Sequence, residues 1–250
     1  MMPVVSVIMP AFNAEKTIAA SIDSVLMQTM GDWELIICDD KSTDNTVAII
    51  EKYAATDLRV RLVDNHYEKS AAGARNSAID HSSGRYIAFL DSDDLWHDQK
   101  LEKQLVFMKK HNVAFCYTDY RMFTDVPSSG KDLLVADNYS FGDIVKYCNI
   151  GCLTVMLDRT HWGGLARFPF CKKEDYALWV ILLKEGGVPA KRCPGVLSYY
   201  RKQANSISSS KHKELLRQYR VLCQFSGMSF PRIAYSLVCY SINGFVKHFI

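Results

Sequence analysis

Both glycine-rich phosphate loops are missing. The chain has no G-x-G-x-x-G and no G-x-x-x-x-G-K-[ST], which removes the usual grounds for a dinucleotide or P-loop site. None of its eight cysteines forms a C-x-x-C pair. Several lie inside apolar runs, so reduced, buried thiols are expected rather than a disulfide frame. Long hydrophobic runs are also lacking. The longest mostly apolar stretch, residues 233–246, is interrupted by Ser236, Ser241, Asn243 and Gly244 and falls short of the about 20 residues a spanning helix needs. The opening residues carry no basic leader and no small-residue cleavage site, so no signal peptide and a cytosolic location are expected. A net charge of only +3 gives no basis for a dedicated nucleic-acid binder. No internal repeat or low-complexity tract occurs.

What is present is an ordinary globular composition, 48% hydrophobic and 23% charged over 250 residues. That is enough for one large α/β domain with a small appendage. The charge is uneven. From Arg201 onward eight Lys or Arg face a single acid, Glu214, a local +7 that leaves −4 on the first 200 residues.

Short β-prone runs alternate with helical periods. Strands are predicted over residues 4–10, 33–38, 60–63, 86–90, 113–118, 153–157 and 196–200, and helices over 15–28, 42–55, 71–81, 100–110, 176–185, 213–225 and 231–249. Pro10 is expected to stop the first strand, and residues 126–130 read as a turn. The alternation predicts a mainly parallel, doubly wound sheet flanked by helices.

The run Tyr86-Ile87-Ala88-Phe89-Leu90 goes straight into Asp91, Asp93 and Asp94. A buried strand there would push three carboxylates out at the carboxyl edge of the sheet, where open α/β sheets bind ligands. Like charges so close repel unless a cation or a row of N–H groups sits among them. A hard divalent ion holding a diphosphate suits them, because such ions take few carboxylates and share their shell with phosphate and water. A second predicted strand ends in Asp39-Asp40. Without a glycine-rich loop, this pattern points to a nucleotide-sugar site. Simpler readings stay open: helix caps for these acids, dipole compensation for Glu174-Asp175, and a solvated helix position for Arg75.

These residues resemble the inverting family 2 glycosyltransferases. The likeness runs from residue 4 to about 205 and rests on Val5 to Asn13, Ser24 to Thr29, Cys38 to Asp44, Ala74-Arg75-Asn76, Gly84 to Asp94 and Glu174-Asp175. It implies a GT-A (Rossmann-like) catalytic domain over 1–205, with a nucleotide half to about 118 and an acceptor half over 119–205. A basic amphipathic helical tail over 206–250 would follow. It implies that Pro10, Phe12 and Glu15 line a uridine pocket and that Asp40 bonds the uracil. Arg75 and Arg201 would serve the donor, and Asp91 would face the ribose and sugar. Asp93, helped by Asp94, would hold Mn²⁺ or Mg²⁺, Asp175 would be the general base, and Glu174 would support the base or the acceptor. Two positions depart from the family pattern. Phe12 stands where many relatives have Tyr, and Gln203 where many have His.

An inverting transfer needs one carboxylate opposite the leaving group and a cation on the departing diphosphate, and the chain offers both. The tail alternates Lys211, Lys213, Arg217 and Arg220 with Leu215, Leu216, Tyr219 and Leu222, a pattern suited to an anionic bilayer surface or to packing on the catalytic domain or a second subunit. A homo-oligomer is therefore among the assemblies allowed. Absence of the Gln-x-x-Arg-Trp motif of processive relatives suggests single addition. The resemblance extends to bacterial O-antigen and surface-polysaccharide enzymes. It implies a UDP-sugar donor, glucose or galactose, and a polyprenyl-diphosphate-linked acceptor such as GlcNAc-diphosphate-undecaprenol at the inner face of the plasma membrane. The alternatives are a lipooligosaccharide-core or protein-glycan acceptor, or a nucleotide-sugar-binding scaffold without turnover.

Overall fold

A mixed sheet of ten strands organises the chain. The computed structural model describes residues 2–202 and 211–249; Gln203, and the polar stretch it begins, lie outside the described residues. The N-terminal half alternates strand and helix: β1 (Val5–Ala11), α1 (Ile18–Leu26), β2 (Trp33–Asp39), α2 (Thr46–Thr56), β3 (Val60–Asp64), α3 (Ala71–Asp80) and β4 (Tyr86–Phe89). Then come β5 (Leu95–Trp96), α4 (Lys100–His111) and β6 (Phe115–Phe123). Beyond it lie β7 (Lys131–Leu133), β8 (Asn138–Tyr139), α5 (Phe141–Ile144), β9 (Met156–Asp158), α6 (Arg159–Trp162), α7 (Glu174–Gly186), β10 (Ala190–Arg201), α8 (Lys211–Val221) and α9 (Phe230–Phe249).

The strand order is β3-β2-β1-β4-β9-β6-β10-β5, with β7 on β6 and β8 on β10. From β3 to β4 every pairing is parallel, as the alternation predicts. Beyond β4 the sheet is mixed. β9 runs antiparallel to both β4 and β6, while β6 and β10 are parallel. The inner strands are apolar on both faces because helices cover both. One core gathers Ile18, Ile22 and Val25 of α1 with Leu101 and Leu105 of α4. The opposite core joins α3 and α7 to the far face and takes in Val221, Leu222 and Ile233 from the C-terminal helices.

Several expected elements differ: β6 runs on to Phe123, and three others have a local cause. β1 does not stop at Pro10, which pairs with Cys38. Pairing with β4 has already ended at Ile8↔Phe89. Ile8 points its carbonyl to that side, so Pro10, two residues on, lacks an N–H only where no strand needs one. Residues 152–154 form a 3₁₀ turn instead of a strand start, since the Thr154 hydroxyl bonds the Gly151 carbonyl at 2.7 Å and closes a local turn. β10 begins six residues earlier than residue 196, passing through Pro194 and Gly195 by register shifts. Gly195 takes φ +117° there, and its N–H reaches Asp119 Oδ2 at 3.2 Å, so the expected breakers lie within a bulge.

Candidate active site

The carboxyl ends of β1, β2 and β4 open into a cleft of about 360 Å³ walled by Pro10, Phe12, Asn13, Asp40, Arg75, Asp91 and Asp93. The chain reaches it for local reasons. Asn13 takes a left-handed φ of 48°, a conformation Asn tolerates, and its side chain accepts from Thr43 N at 2.8 Å. This ties the loop after β1 to the loop after β2. Phe12 is left 48% exposed at the mouth, with the Lys69 ammonium 4.1 Å above its ring. Asp40 is buried, and one of its oxygens accepts from Asn65 Nδ2 at 2.6 Å.

Arg75 is carried on α3. The Ser70 hydroxyl caps that helix by accepting from Gly73 N at 3.0 Å. A Cβ on Gly73 would meet Glu68 O at 2.2 Å, so only glycine lets the helix start so close to the preceding loop. The buried guanidinium of Arg75 then donates to Asp91 Oδ1 at 2.6 Å and to Glu174 Oε1 at 2.9 Å. Burial works against its charge, but Asp91 leads the neighbours that hold it well above its usual value. The Nε of Arg75 has no partner.

Arg75 and Asp91 also wall a second cavity of about 340 Å³, whose other lining includes Asp94, Tyr120, Cys152, Glu174, Asp175 and Tyr200. The two spaces therefore share a wall. Asp40, Asp91 and Asp93 stand on one side, and Asp91 and Asp175 on the other. Asp175 sits in the first turn of α7 with Oδ1 accepting from Tyr176 N at 2.6 Å. Burial raises its pKa above the ordinary carboxylate value and the charge of Glu174 adds to this, while the Tyr176 N–H and Arg75 oppose it.

Not every residue expected at the site is open to it, although Asp94 borders the second cavity. Asp94 is 1% exposed. Its Oδ1 accepts from Arg201 N at 2.8 Å, its Oδ2 is buried without a partner, and burial with Asp91 and Asp93 nearby holds its carboxyl well above the usual range. Arg201 walls neither space. Its Nε donates to the Asp93 carbonyl at 2.9 Å, and its guanidinium lies 4.6 Å from the Phe123 ring. It braces the acidic turn. Glu15 is also absent from the cleft wall, because its carboxylate accepts from Asn45 N at 3.1 Å and Nδ2 at 3.0 Å, fastening α2. Among the described residues no three His, Cys, Asp or Glu side chains converge as a ready cation cage.

Sequence reasoning missed Asn65, Tyr120 and Tyr200. Asn65 follows β3 directly, so the strand-edge rule that selected Asp40 applies to it as well. Tyr120 and Tyr200 carry no local signal, because only the β6–β10 pairing brings them to one side.

The glycosyl transferase family 2 profile matches residues 6–155. The chain is 47% identical to the Escherichia coli UDP-Glc:alpha-D-GlcNAc-diphosphoundecaprenol beta-1,3-glucosyltransferase WfgD, over 98% of this chain and 94% of that one. It is 44% identical to a second Escherichia coli enzyme named for the same activity, WfaP, over 99% and 96%. Among solved structures it is similar to the mannosyltransferase PcManGT from Pyrobaculum calidifontis in complex with GDP-Man and Mn²⁺, with TM-score 0.67 and 18% identity over 96% of this chain and 69% of that one.

Proposed function

This chain belongs to glycosyl transferase family 2, and we propose that it transfers glucose from UDP-glucose, with inversion, to a GlcNAc-diphosphate-polyprenol, making a β-1,3 link. It is a glycosyltransferase with the GT-A fold. One observation carries the specific reading: the nucleotide-sized cleft of Asp40 and Asp93 shares Arg75 and Asp91 with the cavity of Asp175. A donor held in the first space presents its anomeric carbon to an acceptor hydroxyl in the second. Two relatives named as UDP-Glc enzymes, matched nearly end to end, support glucose over galactose and the lipid-diphosphate acceptor.

In this reading Phe12 supplies a stacking face for uracil and Asp40, oriented by Asn65, accepts from it. Asp91 is held by Arg75 at the ribose and sugar. The acidic turn fits a divalent cation. It offers Asp93 on the cleft wall and a buried, partnerless Asp94 Oδ2, the small carboxylate share that Mg²⁺ or Mn²⁺ takes when phosphates complete its shell. Such an ion supplies positive charge to the leaving diphosphate. Arg201 holds the turn that bears these two acids. Asp175 accepts the proton of the attacking hydroxyl. Its raised pKa makes it a stronger proton acceptor than an exposed Asp, and Glu174, paired to Arg75, keeps its neighbourhood negative.

The acceptor's lipid calls for a membrane surface. Helix α9 supports that: Ile233 and Ser236 are buried toward the fold, while Phe230, Tyr235, Val238 and Ile242 stand exposed on the outer face with Arg232 beside them. Among the described residues no helix is long and apolar enough to cross a membrane. The enzyme would therefore work peripherally, at the inner face of the bacterial plasma membrane. The deciding experiment offers UDP-glucose and UDP-galactose with a synthetic GlcNAc-diphosphate-lipid and Mn²⁺. Transfer of glucose in a β-1,3 link is expected; no product from either donor sinks the assignment.

A further inference from the structure

Lys173, which immediately precedes the acid pair, has a left-handed backbone at φ 65°, ψ 46°. A lysine has no intrinsic reason to adopt it, so its surroundings must hold it there. They do so at both ends. Its carbonyl accepts from Ala177 N at 2.9 Å and so opens α7. Its side chain runs the other way, into the C-terminal helices. There Nζ donates to Gln218 Oε1 at 3.0 Å, lies 3.6 Å from Glu214 Oε2 on α8, and reaches Tyr240 OH of α9 at 3.5 Å. The Tyr176 and Tyr240 rings lie 5.4 and 5.1 Å from the ammonium. Gln218 is 1% exposed and the Lys173 side chain only 21%, so this anchor is a half-buried contact against a fixed partner and not a freely solvated surface pair.

We infer that Lys173 is a positioning residue for Asp175, and that α8 and α9 act on the reaction through it. The inference rests on Asp175 being the base. The direction in which the chain leaves Lys173 sets where Glu174 and Asp175 point. Glu174 is fixed from the other side by Arg75. The start of α7 is thus clamped between the donor floor and the C-terminal helices. Releasing the Lys173 clamp leaves the donor cleft intact, since neither Lys173 nor α8 lines it, but loosens the base. Misplacement of a catalytic group by about 1 Å can cost on the order of a hundredfold in rate.

The test is steady-state kinetics with a detergent-soluble GlcNAc-diphosphate-lipid and no vesicles, so that membrane binding plays no part. Lys173→Met and Gln218→Met are expected to lower kcat by roughly tenfold or more, with the KM for UDP-glucose and the affinity for UDP unchanged. Lys173→Gly relieves the backbone conformation but removes the anchor, and is expected to lose kcat as well. Lys173→Arg, which keeps the cation, is expected to recover part of it. If Lys173→Met fails to fold, Gln218→Met gives the same reading. Wild-type kcat in both methionine variants, or a lower melting temperature with kcat unchanged, overturns the inference. Asp175→Asn is measured alongside. Turnover surviving there removes the base assignment itself, whatever the Lys173 variants show.

Discussion

Arg75 and Glu174, ninety-nine residues apart in the chain, meet at 2.9 Å, and the same guanidinium holds Asp91 at 2.6 Å. One planar cation spans the floor of the donor cleft and the start of the helix that bears Asp175. Lysine carries the same charge but cannot reach two carboxylates in fixed directions. Arg75→Lys is therefore expected to fold and to lose roughly tenfold to a hundredfold in kcat/KM. Arg75→Met leaves Asp91 and Glu174 without their cation. Breaking a buried pair costs about 3–5 kcal/mol, and because both acids keep some access to solvent the lower end is expected, read as a fall in melting temperature. Wild-type turnover in Arg75→Lys would remove Arg75 from the reaction centre.

Asp175 titrates above an ordinary carboxyl because it is buried beside Glu174. Only the ionised form accepts a proton, so kcat/KM is expected to fall on the acid side with a midpoint above the usual Asp value of about 3.9. The stability consequence has a definite sign. A carboxyl whose folded pKa exceeds its unfolded one favours the fold below the unfolded value and loses that contribution as pH rises through the folded value. At neutral pH the ionised group is thus a cost. Asp175→Asn is expected to hold or raise the melting temperature while cutting turnover by a factor on the order of 10²–10⁴, with UDP binding retained. A variant that melts lower and still turns over contradicts both halves.

The acidic turn gives a separable expectation. Chelation is expected to abolish transfer, and added Mn²⁺ or Mg²⁺ to restore it, with circular dichroism unchanged because Arg201 rather than an ion braces the turn. Asp94→Asn keeps the acceptor for the Arg201 N–H but loses one anionic ligand. It should therefore need more metal for half-maximal rate. Full activity in chelator removes the cation from the mechanism.

The parallel half of the fold was legible because its strands are buried on both faces and end in chemistry. The runs before Asp39-Asp40 and Asp91 to Asp94 announce both the strands and the cleft edge. The family motifs placed Arg75 and Asp175 near the site, but their adjacency needed the fold, since α3 and α7, far apart in the chain, are brought together by the far core. Glu15 and Arg201 carry the right chemistry, yet each is bound to a neighbouring loop before it can reach the cleft. Periodicity could not reveal that. Local rules also failed for β10, where a bulge accommodates Pro194 and Gly195.

Lys100 lies outside the reaction centre and tests the core. It is completely buried, its Nζ donates to Gln104 Oε1 at 2.5 Å, and burial lowers its pKa to about 7. The unfolded chain keeps that proton to about pH 10.4. Between those values the unfolded state binds more protons, so this residue makes stability rise with pH from about 7 toward 10. Lys100→Met is expected to stabilise the fold near pH 7 by a few kcal/mol at most, with the gain shrinking as pH rises. Melting curves at several pH values in both proteins decide it; parallel curves would mean Lys100 does not titrate in this window.

The outer face of α9 separates membrane docking from self-association. Phe230, Tyr235, Val238 and Ile242 are each more than half exposed, an apolar stripe that water should not favour. The enzyme is expected to sediment with vesicles containing anionic lipid, and less so at high salt, because basic side chains contribute the electrostatic part. Val238→Asp with Ile242→Asp should abolish sedimentation and spare turnover on a detergent-soluble acceptor, since neither residue lines either cavity. Should the wild-type stripe instead bury against a second copy, the protein runs as a dimer in gel filtration, ignores vesicles, and becomes monomeric in the double variant. That result would replace the bilayer with a subunit as the partner of α9.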